Sequence, residues 1–201
     1  MLFNFSSSLD FQPSIRVEGQ ELEVVSRTKI LGLTISSSLK WNDHVDVITT
    51  KARKRIFILR KMMSNGFDVE LILDTYAKEI RSVLEYGCVV YQHGLTQELS
   101  DKLESVQRLV MYLISKYLNL DLSYMESCIL HNIEPHSLRR QNQCETFIRR
   151  TIKNPTHADM FIHKVTDRKS SRRFHEYQST NSRMFFSPLV ALTRLGNTLK
   201  L

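Results

Sequence analysis

Cysteine is scarce in this chain and awkwardly placed. Cys88, Cys128 and Cys144 make an odd number, and no two of them form a C-x-x-C pair. A disulfide framework is therefore not expected, and buried thiols in a reduced, intracellular chain fit better. No apolar run approaches the roughly 20 residues that a membrane span requires. Leu2, Phe3 and Phe5 lack the basic flank and sustained apolar core of a signal peptide, so no membrane partner is expected. Glycine-rich phosphate loops, internal repeats and low-complexity tracts are also missing. His157 and His163 with Cys144 do not make a metal-ligand spacing, and Cys128 with His131 on one short helix is an isolated pair without a supporting third group. No metal or cofactor site is expected.

What is present is a basic, otherwise ordinary globular composition. At 201 residues the chain can bury one moderate core. Apolar residues make up 42% and charged residues 24%, as in typical globular domains. Lys and Arg number 28 against 21 Asp and Glu, a formal charge of +7 and a pI near 9.4. Such a balance favours a polyanionic partner without naming it.

The first 42 residues read as β. MLFNF is a short apolar strand, and SIRVEGQELEVV holds two strands joined at Glu18-Gly19-Gln20, a turn signal. Residues 29–35 complete a small set, with Gly32 inside the apolar run Ile30, Leu31, Leu33 and Ile35. Gly32 suits a bulge or a close backbone approach. So few strands leave a face exposed unless helices cover it.

From residue 43 the period changes. Asp43 is a plausible N-cap, and Val45, Ile48, Ala52, Ile56, Leu59 and Met63 share one face of a helix over 43–63. Lys51, Lys54, Arg55 and Lys61 fall on the opposite side, so one element carries a core stripe and a cationic stripe. Phe57 lies within the cationic side, where it either packs under a neighbouring element or stacks on a base. Asn65-Gly66 ends the helix. A second helix is expected over 68–86, with Val69, Ile72, Tyr76, Ile80 and Val83 inward. Tyr86 and Tyr91 read as core or edge packing.

Thr96 caps a third helix whose inner stripe is Leu99, Leu103, Val106, Val110, Leu113 and Tyr117. Ser123-x-x-Glu126 is a capping box for a short fourth helix. A fifth begins after Pro135, which sits at no deeper than the first turn, and runs to about Asn154. It carries Arg139, Arg140, Arg149, Arg150 and Lys153. Beyond Asn154-Pro155 no clear period remains. Lys164, Arg168, Lys169, Arg172 and Arg173 make a basic, partly mobile tail, and the final MFFSPLVALTRLGNTL is apolar enough to dock on the rest. The fold class is α+β, mostly α: β-rich 1–42, helical 43–154 and a basic, partly irregular 155–201.

The string ILGLTISSSLKWNDHVDVITTKARKRIFILRKM resembles the end of the reverse transcriptase region of non-LTR (LINE-type, jockey-like) retrotransposons. There an LG-containing palm strand leads through a W-x-x-H turn into the first long thumb helix. RSVLEYG at 81–87, LTQELSDKLESVQR at 95–108 and the terminal SP-to-LTRLGN string are similar to further segments of that family, with Gly196 where a second leucine is more usual. The resemblance covers nearly the whole chain. It implies that the strands are a palm remnant, that the helices are a thumb-like bundle, and that Met1 corresponds to an internal methionine of an amino-terminally truncated piece.

A polymerase of that family holds Mg²⁺ on closely spaced carboxylates, including a Tyr-x-Asp-Asp hairpin. This chain has no Asp-Asp pair, and Glu21 and Glu23 read as a solvated strand edge. The resemblance thus implies a non-enzymatic fragment of an RNA-directed DNA polymerase, without cofactor, whose remaining role is to hold an RNA–DNA duplex. Its nearest partner would be the missing amino-terminal part of the polymerase. The candidate contacts are Lys51, Lys54, Arg55, Lys61, Arg139, Arg140, Arg149 and Arg150, which would meet phosphates without reading sequence. A second reading is a helical structural or protein-interaction domain with an incidental basic surface. An intact small enzyme has no supporting constellation.

Overall fold

A computed structural model describes residues 14–154, residue 156 and residues 188–199. The architecture is α+β and mostly helical, with short antiparallel strands leading into a helical bundle. MLFNF, the histidines at 157 and 163 and the basic run from Lys164 to Arg173 lie outside the described residues.

Two hairpins come first. β1 (Arg16–Val17) pairs with β2 (Gln20–Glu21) around Glu18-Gly19. All four strand residues are exposed. β3 (Arg27–Ile30) pairs antiparallel with β4 (Leu33–Ser36) in the register Arg27 to Ser36 and Ile30 to Leu33. The single strand expected over 29–35 is therefore corrected to a hairpin folded at Leu31-Gly32. Both turn residues have positive φ, 47° and 86°, the geometry of the tight two-residue turn that matches strand twist. Alternation of apolar residues reads the same through such a turn as along a strand, so the pattern did not reveal it.

The close approach expected at Gly32 is present. A Cβ there would lie 2.9 Å from the Tyr86 ring, and the Tyr86 hydroxyl donates to the Leu31 carbonyl at 2.9 Å. Gly87, at φ 67°, leaves the matching space for Leu33, whose Cδ2 would meet a Cβ at 2.9 Å. The β3–β4 hairpin is thus seated on the Tyr86–Gly87 corner by two reciprocal absences of a side chain.

α1 (Asn42–Ser64) follows. Trp41, not Asp43, occupies its N-cap position, with no side-chain cap bond, and Asp43 lies in the first turn. There its charge still favours the positive end of the helix. The Trp41-x-x-His44 spacing sets a small aromatic cluster: His44 lies edge-on to Trp41 and to Tyr91, with ring centroids 5.9 and 5.0 Å apart. His44 Nδ1 accepts the Thr34 backbone N–H at 3.3 Å, joining β4 to α1. Burial lowers its pKa, which suits a neutral ring that accepts at this nitrogen.

The second helical segment begins with Asp68, whose carboxylate accepts the Val69 N–H. It is not one uniform helix. α2 (Val69–Thr75) passes into a π-helical stretch, Tyr76–Arg81, and then α3 (Ser82–Glu85). The buried positions are Ile72, Tyr76, Ile80 and Leu84, a spacing of four that would drift around an α-helix. The wider π turn takes up that drift. Leu84 consequently replaces the expected Val83 as the innermost residue, and Val83 packs at the margin.

α4 (Cys88–Tyr91) and a 3₁₀ turn, Gln92–Gly94, lead to α5 (Gln97–Tyr117), capped by the Thr96 side chain as expected. α5 packs against α1, α6 (Tyr124–Leu130) and α7 (His136–Lys153). Its fully buried residues include Leu103, Val106, Val110, Met111 and Ile114, while Leu113 and Tyr117 sit only partly inside. The Ser123–Glu126 capping box is formed in full. α8 (Pro188–Thr198) packs on α7 and α4. Leu192 completes a small cluster with Cys144 and Ile148, so part of the terminal apolar string docks where α7 offers its inner face. All three cysteines are free and buried. Among the described residues no helix is long and apolar enough to cross a membrane.

Candidate nucleic-acid interface

The core stripe of α1 is Val45, Ile48, Ala52, Ile56 and Leu59. A helix that buries one face this fully must turn the opposite face to solvent. Lys51, Lys54 and Lys61 are exposed there, and no ion pair holds any of them among the described residues. Arg60, not singled out in the sequence, is exposed near Lys61, on the flank of the helix away from Lys51. Phe57 lies between these cations with 62% of its surface exposed. Among the described residues it is largely uncovered. Arg55 differs from the lysines: it is half-buried and donates to the Glu79 carbonyl at 2.6 Å and carboxylate at 3.2 Å. It ties α1 to the π-helical stretch and presents less free charge.

α7 divides more sharply. Arg149, Arg150 and Lys153 are exposed. Arg150 also borders a shallow groove of about 380 Å³ along the helix, with Arg139, Asn142, Phe147 and Glu134. Arg139, by contrast, is half-buried and tied to a carboxylate, and Arg140 is part of the interior framework. Arg139 Nε donates to Glu85 Oε1 at 2.5 Å. Arg140 is fully buried; its Nε donates to Gln92 Oε1 at 2.7 Å and its Nη2 to Ser100 Oγ at 2.9 Å. Its Nη1 has no partner among the described residues, and burial lowers its pKa. As folded, Arg140 cannot reach a phosphate, which removes it from the surface expected of it. The helical period explains this: His136, Arg140, Cys144 and Ile148 recur every four residues and all face inward.

Around these residues runs a buried polar seam that the sequence did not disclose. Pro135 stands at the N-cap position of α7 and offers no side-chain oxygen. Glu104, from α5, does the work instead. Its carboxylate accepts the His136 N–H at 2.9 Å and the Ser137 N–H at 2.8 Å, and takes the Tyr124 hydroxyl as well. Burial alone would raise its pKa, but these donors outweigh that and hold it below the ordinary carboxylate range. Gln107 is also fully buried; it accepts from Tyr76 at 2.7 Å and donates to Tyr124 and to the Glu134 carbonyl, both at 2.9 Å. Glu85 gathers Arg139, the Gln143 amide at 2.6 Å and His136 Nδ1 at 3.6 Å. Burial again pushes Glu85 upward, and His136 and Arg139 bring the net shift below the ordinary value. His136 is held down chiefly by burial, against the pull of Glu85.

The one legible signal for this seam was the placement of Glu104 and Gln107 beside the apolar positions of α5. Both sit within a stripe that a helix of this length buries.

Chemically, the exposed face of α1 can attract polyanions and offer an aromatic surface. The seam is largely buried, and most of its polar groups are engaged in joining helices. Among the described residues no three His, Cys, Asp or Glu side chains gather in a metal-holding arrangement. Cys128 lies buried, and burial raises its thiol pKa, so the pair with His131 has no ready thiolate. No protein-family model, no curated protein and no solved structure matches the chain.

Proposed function

We propose that this chain is a non-catalytic, thumb-like piece of a non-LTR retrotransposon reverse transcriptase, and that it holds nucleic acid through the outward face of α1. The observation that carries the reading is the set of exposed cations Lys51, Lys54 and Lys61, with Arg60, on one rigid helix. None has an ion-pair partner among the described residues. A helix presents such groups at fixed spacing, so gripping a phosphate backbone does not require ordering a flexible segment. The resemblance implies a palm strand that leads through a W-x-x-H turn into the first thumb helix; the strand β4, the Trp41–His44 corner and the long α1 follow in that order and support the same reading. The chain would supply duplex binding and no nucleotide chemistry, since it has no Asp-Asp pair to hold Mg²⁺.

The test is filter binding of an RNA–DNA duplex across a salt series. Lys51→Ala/Lys54→Ala/Lys61→Ala is expected to weaken binding and to flatten the slope of log affinity against log salt by roughly one unit per lost phosphate contact. An unchanged affinity and slope would remove α1 as the gripping face.

A second reading rests on α6. Met125, Ile129 and Leu130 are 52%, 76% and 57% exposed on a helix of seven residues. Apolar exposure of that extent favours a protein partner. Ile129→Glu that abolishes capture of such a partner, while leaving duplex binding intact, would support it.

A further inference from the structure

Phe57 has four helical neighbours on its own face, at three and four residues before and after it: Arg53, Lys54, Arg60 and Lys61. All four are cationic. Arg53 leans away to hydrogen-bond Ser105 on α5 at 2.8 Å. Lys54, Arg60 and Lys61 have no ion-pair partner among the described residues and are exposed. The ring itself is 62% exposed. The helical neighbours of this exposed ring are thus all cations, and none is apolar.

Taking the cationic face as a nucleic-acid grip, we propose that Phe57 is a stacking platform for an unpaired base, so that α1 engages single-stranded nucleic acid or a strand end beside the duplex. The surrounding cations define the occupant. They disfavour a basic or neutral apolar partner and match a ligand that alternates negative charge with flat apolar rings. A nucleic-acid strand has that alternation: phosphates meet Lys54, Arg60 and Lys61 while one base lies on the ring. Within a duplex the bases are stacked on each other and present only edges, so a ring on the protein surface has no face to meet. An unpaired base supplies one, and such stacking tolerates any base.

The test compares wild type, Phe57→Ala, Phe57→Trp and Lys51→Ala/Lys54→Ala/Lys61→Ala on three probes by fluorescence anisotropy. The probes are single-stranded oligothymidine, an abasic strand of equal length, and an RNA–DNA duplex closed at both ends by non-aromatic ethylene glycol linkers. Phe57→Ala is expected to lose roughly tenfold in affinity for oligothymidine and nothing on the abasic strand or the duplex. Its salt slope should match wild type, because no phosphate contact is lost. Phe57→Trp should restore the affinity. Equal loss on the abasic strand, or no loss on any probe, overturns the stacking role. If the lysine variant weakens binding to all three probes while Phe57→Ala weakens none, stacking fails and the cationic grip stands. If neither variant weakens binding, both fall. Phe57-dependent binding to phosphatidylserine vesicles, with no binding to oligothymidine, would also overturn the proposal and make this face a membrane contact.

Discussion

Two clusters of basic residues look alike in the sequence and have opposite fates in the structure. Lys51, Lys54 and Lys61 on α1 point away from the core and are unpaired among the described residues. On α7, Arg139 is half-buried and held by Glu85, and Arg140 points into the bundle between Gln92 and Ser100. The contrast follows from what each helix must bury. α1 has enough apolar residues to fill its inner face, so its cations are left outside. α7 is poor in apolar residues; its inward positions include His136 and Arg140, and the protein meets Arg140 with hydrogen-bonding partners from α5 and the turn after α4 and sets the Glu85 carboxylate of α3 beside His136. The difference teaches that a cationic residue is a binding candidate only where the core has no use for its position. The choice of arginine on α7 is consistent: a planar, multidentate cation is easier to satisfy inside than a lysine.

The strongest way to break this comparison is to remove the carboxylate that caps α7. Glu104→Ala would leave the His136 and Ser137 N–H groups and the Tyr124 hydroxyl without their acceptor. A loss of about 3–5 kcal/mol is expected, since each buried orphan costs about 1–3 kcal/mol. Urea denaturation checks it; a loss below about 1 kcal/mol would mean that the end of α7 is already satisfied by water.

Arg140 offers a sharper, smaller test. Arg140→Ala creates a cavity and strands Gln92 and Ser100, at a cost of about 2–4 kcal/mol. Arg140→Met keeps most of the volume and removes an interior charge that has no carboxylate in contact among the described residues. It should cost much less, and can be neutral. Equal damage from both variants would show that the charge itself is needed.

Acid should act on the same seam. His136 is buried with Glu85, Glu104 and Arg140 around it. Its folded pKa lies below the ordinary 6.5, so the unfolded chain takes up the proton first, and stability declines as pH falls below that value. His44 contributes with the same sign. Glu85 and Glu104, whose folded pKa values are depressed below 4.5, add stability that is complete above that range and is lost as pH falls through their folded values. Urea midpoints measured downward from pH 7 should therefore fall in two stages. A midpoint that rises on first acidification would mean that His136 gains more from pairing with Glu85 than it loses by burial.

The smallest expected effect lies on α1. Lys51→Ala, Lys54→Ala and Lys61→Ala should each change stability by less than about 0.5 kcal/mol, because no folded contact is removed. A larger loss would place these lysines in the fold's own framework, as with Arg140, and would erase the contrast between the two clusters.

Much of this was legible before any coordinate. The helix over Asn42–Ser64, the Thr96 cap, the Ser123–Glu126 box and the start of α7 after Pro135 are local features, set by period, capping chemistry and proline geometry within a few residues. The Leu31-Gly32 turn was not legible, because hydrophobic alternation does not say whether a chain continues or folds back. The π-helical stretch was hidden for a related reason: its spacing of four is close enough to the helical period to pass as an α-helix.

The candidate surface was legible in outline on α1, where the amphipathic pattern is clean. It failed on α7. There the inward positions are polar, and only their partners could tell a buried arginine from a solvated one. By itself the sequence determined most helix positions, the Thr96 and Ser123 caps and the cationic face of α1, because each depends on residues near one another in the chain. The tertiary structure alone decided that Arg140 is interior, that Glu104 caps a helix from more than thirty residues away, and that Phe57 has no cover among the described residues. Those outcomes depend on which distant groups arrive beside them, and desolvation makes the arrival decisive: a charge is cheap in water and is tolerated inside only where neighbours replace the water.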